Sequence, residues 1–247
     1  MTVVSNDNAA DATTDIRPVV RMEQVRFAWP GRNAFAIAIP EFNLSAGDRL
    51  LLLGPSGSGK STFLSLLCGI VVPQSGRIEI LGTDFTALAG GARDRFRAEH
   101  FGIIFQMFNL LPYGTAVDNI VLPLAFARTR RERVSNVDGG SNTVALRLMT
   151  RLGLDEQLGH QAAVTLSVGQ QQRVAAARAL IGAPEIVVAD EPTSSLDRHR
   201  QAAFLDLLFS QVKEAGASLI MVSHDESLAS HFNRVSRLSD IVQEVRA

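Results

Sequence analysis

Nine consecutive residues in this chain have the types and spacing of a loop that binds phosphate. Glycines let successive backbone N–H groups turn inward, and the dipole of a helix that follows favours an anion at its start. The pattern G-x-x-x-x-G-K-[ST] therefore predicts a site for the phosphates of a nucleotide, and an ordinary flexible Gly/Ser turn is the alternative. The residues are Gly54, Pro55, Ser56, Gly57, Ser58, Gly59, Lys60, Ser61 and Thr62.

Three side chains at the end of this loop have separate predicted roles. Lys60 would reach the β- and γ-phosphates, Ser61 would offer its hydroxyl to Mg²⁺, and Thr62 would bond on the α-phosphate side. The chain contains only two lysines, Lys60 and Lys213, and takes its other cations from arginine. Because a compact ammonium does not replace a planar guanidinium, the lysine at this position supports the phosphate-binding interpretation.

Four short apolar runs predict buried strands, and each is followed at once by residues that could serve a nucleotide site. Ligands of α/β sheets bind beyond the carboxyl ends of the strands, so these residues are expected to share one edge. The runs are residues 50–53, before the phosphate loop and a helix at 61–69; 101–105, before Gln106; 185–189, before Asp190 and Glu191; and 218–223, before His224.

The residues after these strands could hold a metal ion and activate water. Asp190 could bind Mg²⁺ and Glu191 could polarise the attacking water, although two carboxylates before a proline could instead cap a helix. Gln106 could reach the metal or the water, but a lone glutamine is usually a surface residue. His224 could donate a hydrogen bond to the γ-phosphate, whereas a lone histidine is usually structural.

Upstream of the loop, residues 19–27 and 35–44, with 77–81 beyond it, predict an antiparallel β layer. Two aromatic rings near this layer could stack on a nucleobase. Alternation along the strand places Phe27 on an apolar face, so it is expected in the core. Trp29 lies in a predicted turn and is the better stacking candidate.

Composition indicates an ordinary globular protein without a strong charge. The chain has 247 residues, 46% of them hydrophobic, and 24 basic against 25 acidic side chains, so no overall field would attract nucleic acid. The single cysteine, Cys68, excludes an internal disulfide and is expected to be buried. No long apolar run is present and residues 1–17 lack the apolar core of a signal peptide, so a cytoplasmic location is expected.

The middle of the chain predicts a separate helical lobe. Residues 109–164 have mixed helical character with prolines and a glycine-rich break. A basic cluster there predicts a solvated helix face, with contact to a membrane partner or to lipid headgroups as the alternative. At the other end, residues 1–18 predict a disordered tail. The cluster consists of Arg128, Arg130, Arg131 and Arg133.

A second glycine element, LSVGQQQR at residues 166–173, precedes a predicted helix at 170–181. With this element the chain resembles an ATP-binding cassette ATPase. The other matching elements, in order along the chain, are the phosphate loop, Gln106, residues 185–191, residues 195–197 and His224. The resemblance covers almost everything from residue 19 onward. The segment FQMFNLLPYGTAVDNIVLPL, residues 105–124, looks most like the lipoprotein-release, macrolide-export and cell-division group of cassettes.

The resemblance implies a fold, cofactors and an assembly that composition does not reveal. The fold would be α/β, a P-loop NTPase with a mixed central sheet, an N-terminal antiparallel β subdomain and an inserted helical subdomain at about 107–180. One nucleotide-binding domain would cover 19–247. Two copies would form a head-to-tail homodimer holding two ATP molecules with Mg²⁺, whose ligands would be Ser61, Gln106 and Asp190. The signature segment of the other copy would contribute Ser167, Gly169 and Gln170, and the D-loop would contribute Asp197.

This sequence departs from the family pattern at Val168, where glycine is usual. Valine is β-branched and resists a positive φ. The segment is therefore expected either to take an ordinary backbone conformation or to approach the phosphate less closely.

The function implied by the resemblance is the ATP-hydrolysing subunit of a membrane complex, at the inner face of the cell membrane. It would drive a separate permease or mechanotransmission subunit docked near residues 106–124, for export or for lipoprotein or lipid extrusion. An importer ATPase is one alternative. Another is a soluble cassette ATPase acting on DNA or ribosomes, which the near-neutral charge disfavours. Small-molecule phosphoryl transfer would need an acceptor pocket where the signature segment lies.

Overall fold

The computed structural model describes residues 18–31, 35–194 and 196–246. The predicted tail, apart from Pro18, and Ser195 of the predicted D-loop lie outside this range. The strands are β1 (Val20–Ala28), β2 (Phe35–Leu44), β3 (Arg49–Leu53), β4 (Ser75–Ile80), β5 (Thr83–Asp84), β6 (Phe101–Ile104), β7 (Ile186–Asp190), β8 (Ser218–Ser223), β9 (Arg234–Arg237) and β10 (Gln243–Arg246). The helices are α1 (Lys60–Leu67), α2 (Gly90–His100), α3 (Ala116–Val121), α4 (Arg128–Ser135), α5 (Gly140–Arg151), α6 (Val168–Leu180), α7 (Arg198–Glu214) and α8 (Leu238–Ile241).

The first sheet is antiparallel, with strand order β10-β2-β1-β4-β5, and it confirms the predicted β layer. The register of β1 against β4 shifts between Glu23 and Arg26, where Gln24 has a φ of 50°. This bulge moves the alternation by one residue, so Val25 and Phe27 remain buried. Phe27 is therefore a core residue, as its pattern predicts.

The second sheet has the order β6-β7-β8-β3-β9, and its strand pairs are all parallel. The prediction of a mixed central sheet is therefore wrong: between the two sheets of the described residues, antiparallel strand pairs occur only in the first, while the α/β class itself is confirmed. The central strands are almost completely buried, which explains their continuous apolar runs. All four predicted strands are present, and their carboxyl ends lie along one edge of the sheet. That edge carries the predicted site residues.

Helices α3, α4, α5 and α6 occupy the region predicted as a helical lobe. Helix α2 has no counterpart among the predictions. It starts at two glycines, which are poor helix formers, and none of its residues is buried. Its contact with the core is made by Phe96, whose ring packs 5.3 Å from that of Phe85.

The prediction that the arginine cluster forms a solvated helix face is wrong for Arg130, whereas the side chain of Arg133 is 42% exposed and forms an ion pair. Arg130 is only 1% exposed and donates hydrogen bonds to the carbonyls of Ala98, Phe101, Ala179 and Ile181. Arg133 pairs with Glu185 across 2.8 Å and also donates to the carbonyls of Gly182 and Ala183. Through these hydrogen bonds the two guanidinium groups satisfy carbonyl oxygens at the end of α6 and attach α4 to the sheet.

Cys68 follows α1 and is buried, as its position predicts. Burial raises the pKa of its thiol to about 12. The thiolate needed for nucleophilic chemistry is therefore absent at neutral pH, and the residue is a packing element.

Candidate nucleotide-binding site

The loop after β3 takes a tight conformation that requires glycine. Gly57 and Gly59 have φ values of 80° and 97°, in the region that other residues rarely adopt. A Cβ added to Gly59 would lie 2.7 Å from the ring of Phe35, so packing also excludes a larger residue there. The N–H of Gly54 donates to the carbonyl of Ser223 across 3.2 Å, which fixes the loop to the end of β8.

Lys60 is the first residue of α1, and its ammonium is a buried cation with oxygen partners from two segments. Its Nζ donates to the carbonyls of Gly54 and Pro55 across 2.8 Å and 2.9 Å. It lies 3.2 Å from Oε1 of Glu191, and Lys60 as a whole is 6% exposed. The predicted phosphate ligand is therefore a dense positive charge held at the loop, beside the predicted base.

Glu191 connects the end of β7 to that of β8. Its Oε2 lies 2.9 Å from Nδ1 of His224, and its side chain is 14% exposed. The residue has a φ of 43°, which is strained for a non-glycine residue, and its N–H donates to the carbonyl of Val222. A carboxylate held between an ammonium and an imidazole is suited to orient a water and accept its proton.

Asp190 precedes this glutamate and faces the helix that follows the loop. Its Oδ2 lies 3.5 Å from Oγ of Ser61. Burial raises the pKa of Asp190, the negative charge of Glu191 raises it further, and Lys60 and Ser61 lower it. A carboxylate whose ionised form is disfavoured in this way gains from a nearby cation. Hydroxyl and carboxylate oxygens are ligands that Mg²⁺ accepts, so both residues fit the predicted metal role.

The fit to Mg²⁺ depends on oxygens that the protein does not supply. Across residues 18–31, 35–194 and 196–246, no group of three or more His, Cys, Asp or Glu side chains is placed to hold a metal ion. Mg²⁺ usually keeps several waters and is bound through one or two protein ligands together with substrate phosphates. Ser61 and Asp190 match that pattern, with nucleotide phosphates completing the set.

Gln106 follows β6, which lies next to β7 in the sheet, so it shares this edge with Asp190. Its side chain is exposed. Within the described residues it makes no hydrogen bond to the other site side chains, whereas Ser61 contacts Asp190, and Lys60 and His224 both contact Glu191. The structure therefore brings the phosphate loop, the two carboxylates and the histidine together, and it leaves Gln106 beside them without a contact.

Trp29 is 41% exposed, in the turn after β1, and its stacking role stays a prediction. Its ring packs edge-on against Phe27, with centroids 5.1 Å apart. Its Nε1–H donates to Oγ1 of Thr62 across 3.2 Å. Thr62 is itself buried, so its hydroxyl has a protein partner on the side of Trp29. This bond ties the aromatic turn to helix α1.

The signature segment starts helix α6 two residues earlier than predicted. Ser167 and Gln170 form a capping box: the backbone N–H of Ser167 donates to Oε1 of Gln170 across 2.8 Å, and Oγ of Ser167 accepts from the N–H of Gln170. This reciprocal cap places Val168 in the first turn without a positive φ. Of the two expectations for Val168, the ordinary backbone conformation is the one found.

A cavity of about 480 Å³ lies beside the start of α6. Gly169 has open space where a Cβ would be. Asp197 caps α7 nearby, accepting from the N–H of Arg200 across 3.0 Å, and that bond is the main cause of the lowered pKa of its carboxyl. The lining residues include Ser167, Gly169, Gln170, Arg173 and Arg200, and they include no residue of the phosphate loop.

Another cavity, of about 600 Å³, lies beside Gln106, partly within the segment predicted to dock a partner. One wall comes from the residues that follow β6 and α3. The other comes from α2, which was not predicted. The lining residues include Phe105, Leu122, Pro123 and Phe126 on the first wall and Arg95 and Arg97 on the second.

Comparison with known proteins gives consistent results. A family model described as "ABC transporter" matches residues 38–194. The chain is 38% identical over 229 residues to the lipoprotein-releasing system ATP-binding protein LolD of Novosphingobium aromaticivorans, covering 92% of this chain and 99% of that protein. It is 38% identical over 209 residues to the macrolide export ATP-binding/permease protein MacB of Rhodopirellula baltica, covering 83% of this chain and 29% of that protein.

Solved structures agree with the fold. The chain matches the dimeric post-hydrolysis state of the ATP-binding cassette MJ0796 bound to ADP and Pi with a TM-score of 0.75 and 30% sequence identity. The match covers 92% of this chain and 99% of that one. In the described part of the chain, no helix is long and apolar enough to cross a bilayer.

Proposed function

Because the chain belongs to the ABC transporter family, we propose that it is the ATP-hydrolysing subunit of a membrane complex and works as a head-to-tail homodimer. It is an ABC ATPase that binds ATP. The observation that carries the proposed roles is the continuous set of contacts from Lys60 through Glu191 to His224, at the edge where the phosphate loop begins. One nucleotide-binding domain at 19–247, with a helical subdomain at about 107–180, is part of the proposal.

Each residue of this edge has a distinct proposed role. The loop from Gly54 to Thr62 would bind the phosphates through its N–H groups, and Lys60 would neutralise their charge. Ser61, Asp190 and Gln106 would hold Mg²⁺, which when bound supplies positive charge to the β- and γ-phosphates. Glu191 would take the proton of the attacking water. His224 would orient Glu191 and donate to the γ-phosphate.

The homodimer would complete the site with the signature segment. Ser167, Gly169 and the N-terminal N–H groups of α6 offer donors and a positive helix end, but the cavity beside them contains neither Lys60 nor Glu191. Within one chain, the N–H donors at the start of α6 and the proposed base Glu191 therefore line separate sites. The proposal is supported by the dimeric state of the related cassette MJ0796.

We propose that a membrane subunit docks in the cavity beside Gln106. Residues 106–124 and helix α2 would form the docking surface. The lining of the cavity is mostly apolar, and Arg95 stands on one wall with Arg97, which pairs with Asp94 across 2.7 Å. Met107 and Tyr113, both largely exposed, extend the apolar surface. An amphipathic helix with acidic residues on one side would fit this surface. Because Phe105 and Gln106 are adjacent, an occupant would lie one residue from the nucleotide edge.

We propose that ATP hydrolysis by this chain drives export, or the extrusion of lipoproteins or lipids. The chain would lie at the inner face of the membrane. The support is similarity to LolD and MacB, named for lipoprotein release and macrolide export. The similarity to LolD covers that protein almost completely, whereas MacB is much longer than this chain. A separate permease is part of this proposal.

The test is ATP hydrolysis by the purified chain and its Glu191→Gln variant. Removing a general base costs about 10²–10⁴ in rate, so we expect the variant to bind ATP and hydrolyse it at least a hundredfold more slowly. Size-exclusion chromatography with ATP should show the variant as a dimer, since the ATP that joins the two copies persists. Hydrolysis at the wild-type rate by Glu191→Gln would overturn the proposed base.

Purification from detergent-solubilised membranes tests the partner. A bound membrane protein that alters the ATPase rate supports the proposal. Ribosomes or DNA in its place would support the soluble alternative, and a permease with an external binding protein would support an importer.

A further inference from the structure

Arg178, in the last turn of α6, is a buried arginine that no sequence pattern singled out. It is 8% exposed. Its Nη1 donates to the carbonyl of Asn109 across 2.7 Å, and its Nη2 donates to the carbonyl of Phe108 across 2.5 Å. Burial alone lowers its pKa, and no carboxylate offsets that burial. The two carbonyls are therefore the partners that keep this charge inside the protein.

The carbonyls that Arg178 contacts belong to a strained turn just after Gln106. Phe108 and Asn109 have φ values of 59° and 49°, in the left-handed region that non-glycine residues avoid. Two bonds close the turn: the N–H of Phe108 donates to Phe105 and that of Asn109 donates to Met107. Strained backbone persists only where its surroundings fix it. The guanidinium fork holds this turn from outside through hydrogen bonds to its carbonyls, while the side chain of Phe108 packs in the core.

Helix α6 connects this turn to the signature segment. It runs from Val168 to Leu180 and is capped by Ser167 at its start. Thirteen residues of α-helix make a rod about 20 Å long. One end of the rod carries the residues that we propose to contact the nucleotide of the other copy. The other end carries the bonds that hold the Gln106 turn.

We propose that Arg178 is a positioning residue that fixes the turn carrying Gln106 to the helix that starts at Ser167. When the start of α6 moves, the turn from Phe105 to Asn109, which carries Gln106, then moves with the helix as one body. Arg178 itself touches no reacting atom. This inference rests on the proposed function, because it assigns Gln106 a place in the nucleotide site.

Arg130 provides a matched control. It is also buried, and its guanidinium also donates to backbone carbonyls, including that of Ala179 one residue from Arg178. Its partners do not include any residue of the turn from Phe105 to Asn109. Arg130→Lys therefore disturbs the same end of α6 without removing a bond to the turn.

The first test is hydrogen–deuterium exchange of the full chain without nucleotide. Loss of both bonds in Arg178→Ala should speed exchange of the Phe108 and Asn109 amides by about tenfold or more, since local opening sets this rate. Arg178→Lys offers a single ammonium nitrogen in place of the guanidinium fork, so an intermediate increase is expected. This variant also serves if the alanine variant does not fold. Unchanged exchange at these amides, or an equal increase in Arg130→Lys, would overturn the inference.

The second test is a double-mutant cycle with Gln106→Ala, read as kcat and KM for ATP. A misplaced catalytic group can cost up to about a hundredfold in rate, so we expect Arg178→Lys to lower kcat by about tenfold or more with little change in KM. In the Gln106→Ala background the same change should have almost no further effect, because coupled residues are not additive. Full additivity would assign Arg178 a merely structural role.

Failure of the inference and failure of the proposed function give different results. A wild-type chain that does not hydrolyse ATP would contradict the proposed function. The exchange experiment would still decide whether Arg178 holds the turn. A wild-type chain that hydrolyses ATP, with additive effects in the cycle, would sink only the inference.

Discussion

Replacing Lys60 by methionine tests whether the buried ammonium holds the phosphate loop and the end of β7 together. The side chain of methionine matches the length of the lysine stem but removes the charge. Three contacts are lost: those to the carbonyls of Gly54 and Pro55 and the ion pair with Glu191. The carboxylate of Glu191 then remains in a largely buried place with His224 as its partner.

The magnitude follows from the burial of the pair. Removing one partner of a buried ion pair costs about 3–5 kcal/mol. Because Glu191 keeps His224 and some exposure, we expect the lower part of this range or slightly less, about 2–3 kcal/mol in the free energy of unfolding. For a chain of this size that corresponds to a fall in Tm of about 4–12 °C.

Urea and thermal unfolding without nucleotide measure this loss, and the chain supplies its own control. Lys213 is the only other lysine and is exposed on α7, so Lys213→Met should change stability by no more than about 0.5 kcal/mol. With ADP at a hundredfold excess over Kd, a binding chain gains about 2.7 kcal/mol, and Lys60→Met should lose most of that gain. If Lys60→Met unfolds like Lys213→Met, the three contacts do not stabilise the loop and this reasoning is refuted.

Two further predictions concern Glu185 and Val168. Burial raises the pKa of Glu185, but hydrogen bonds from His100 and Arg133 outweigh it and lower the pKa to about 2. A lowered folded-state pKa gives stability that is present above the ordinary value near 4.5 and is lost as the pH falls toward 2. We therefore expect wild type to be more stable than Glu185→Gln by about 1 kcal/mol at pH 7, after discounting for solvent exposure. In urea unfolding this advantage should shrink below pH 4.5. Val168 has no positive φ and is 54% exposed, so Val168→Gly should lower the free energy of unfolding by less than about 1 kcal/mol, and a gain in stability would reveal strain at this position.

The central sheet and most of the site edge were predictable because the signals are strong and local. A buried parallel strand must be apolar on both faces, so runs such as residues 50–53 and 218–223 stand out. The polar residue that ends each run then lies at the ligand-binding edge by the geometry of the sheet alone. This reasoning located Asp190, Glu191 and His224 without any knowledge of which strands are neighbours.

Other features carried weak signals or misleading ones. Helix α2 begins with glycines and has no buried residue, and strand β9 is short and polar at the edge of the sheet, so neither has a clear period. Charge patterning cannot distinguish a solvated arginine from Arg130, whose partners are carbonyls distant in sequence. For Arg178 a signal did exist: an arginine within the apolar run AAARALI is expected to be buried, and a buried arginine needs oxygen partners.

Both glycine elements offer N–H donors at the start of a helix, but only the phosphate-loop edge also combines a buried cation, carboxylates and an imidazole. The phosphate-loop edge holds a buried cation, two carboxylates that suit Mg²⁺ and water, and an imidazole, all from β3, α1, β7 and β8. The start of α6 offers N–H donors and a helix dipole but neither a base nor a metal ligand, and the cavity beside it shares no residue with the loop. Rigid strands anchor the first element, and a capping box fixes the second. In the proposed homodimer the second copy would bring the second element to the γ-phosphate, so the homodimer and the signature roles of Ser167 and Gly169 stand or fall together.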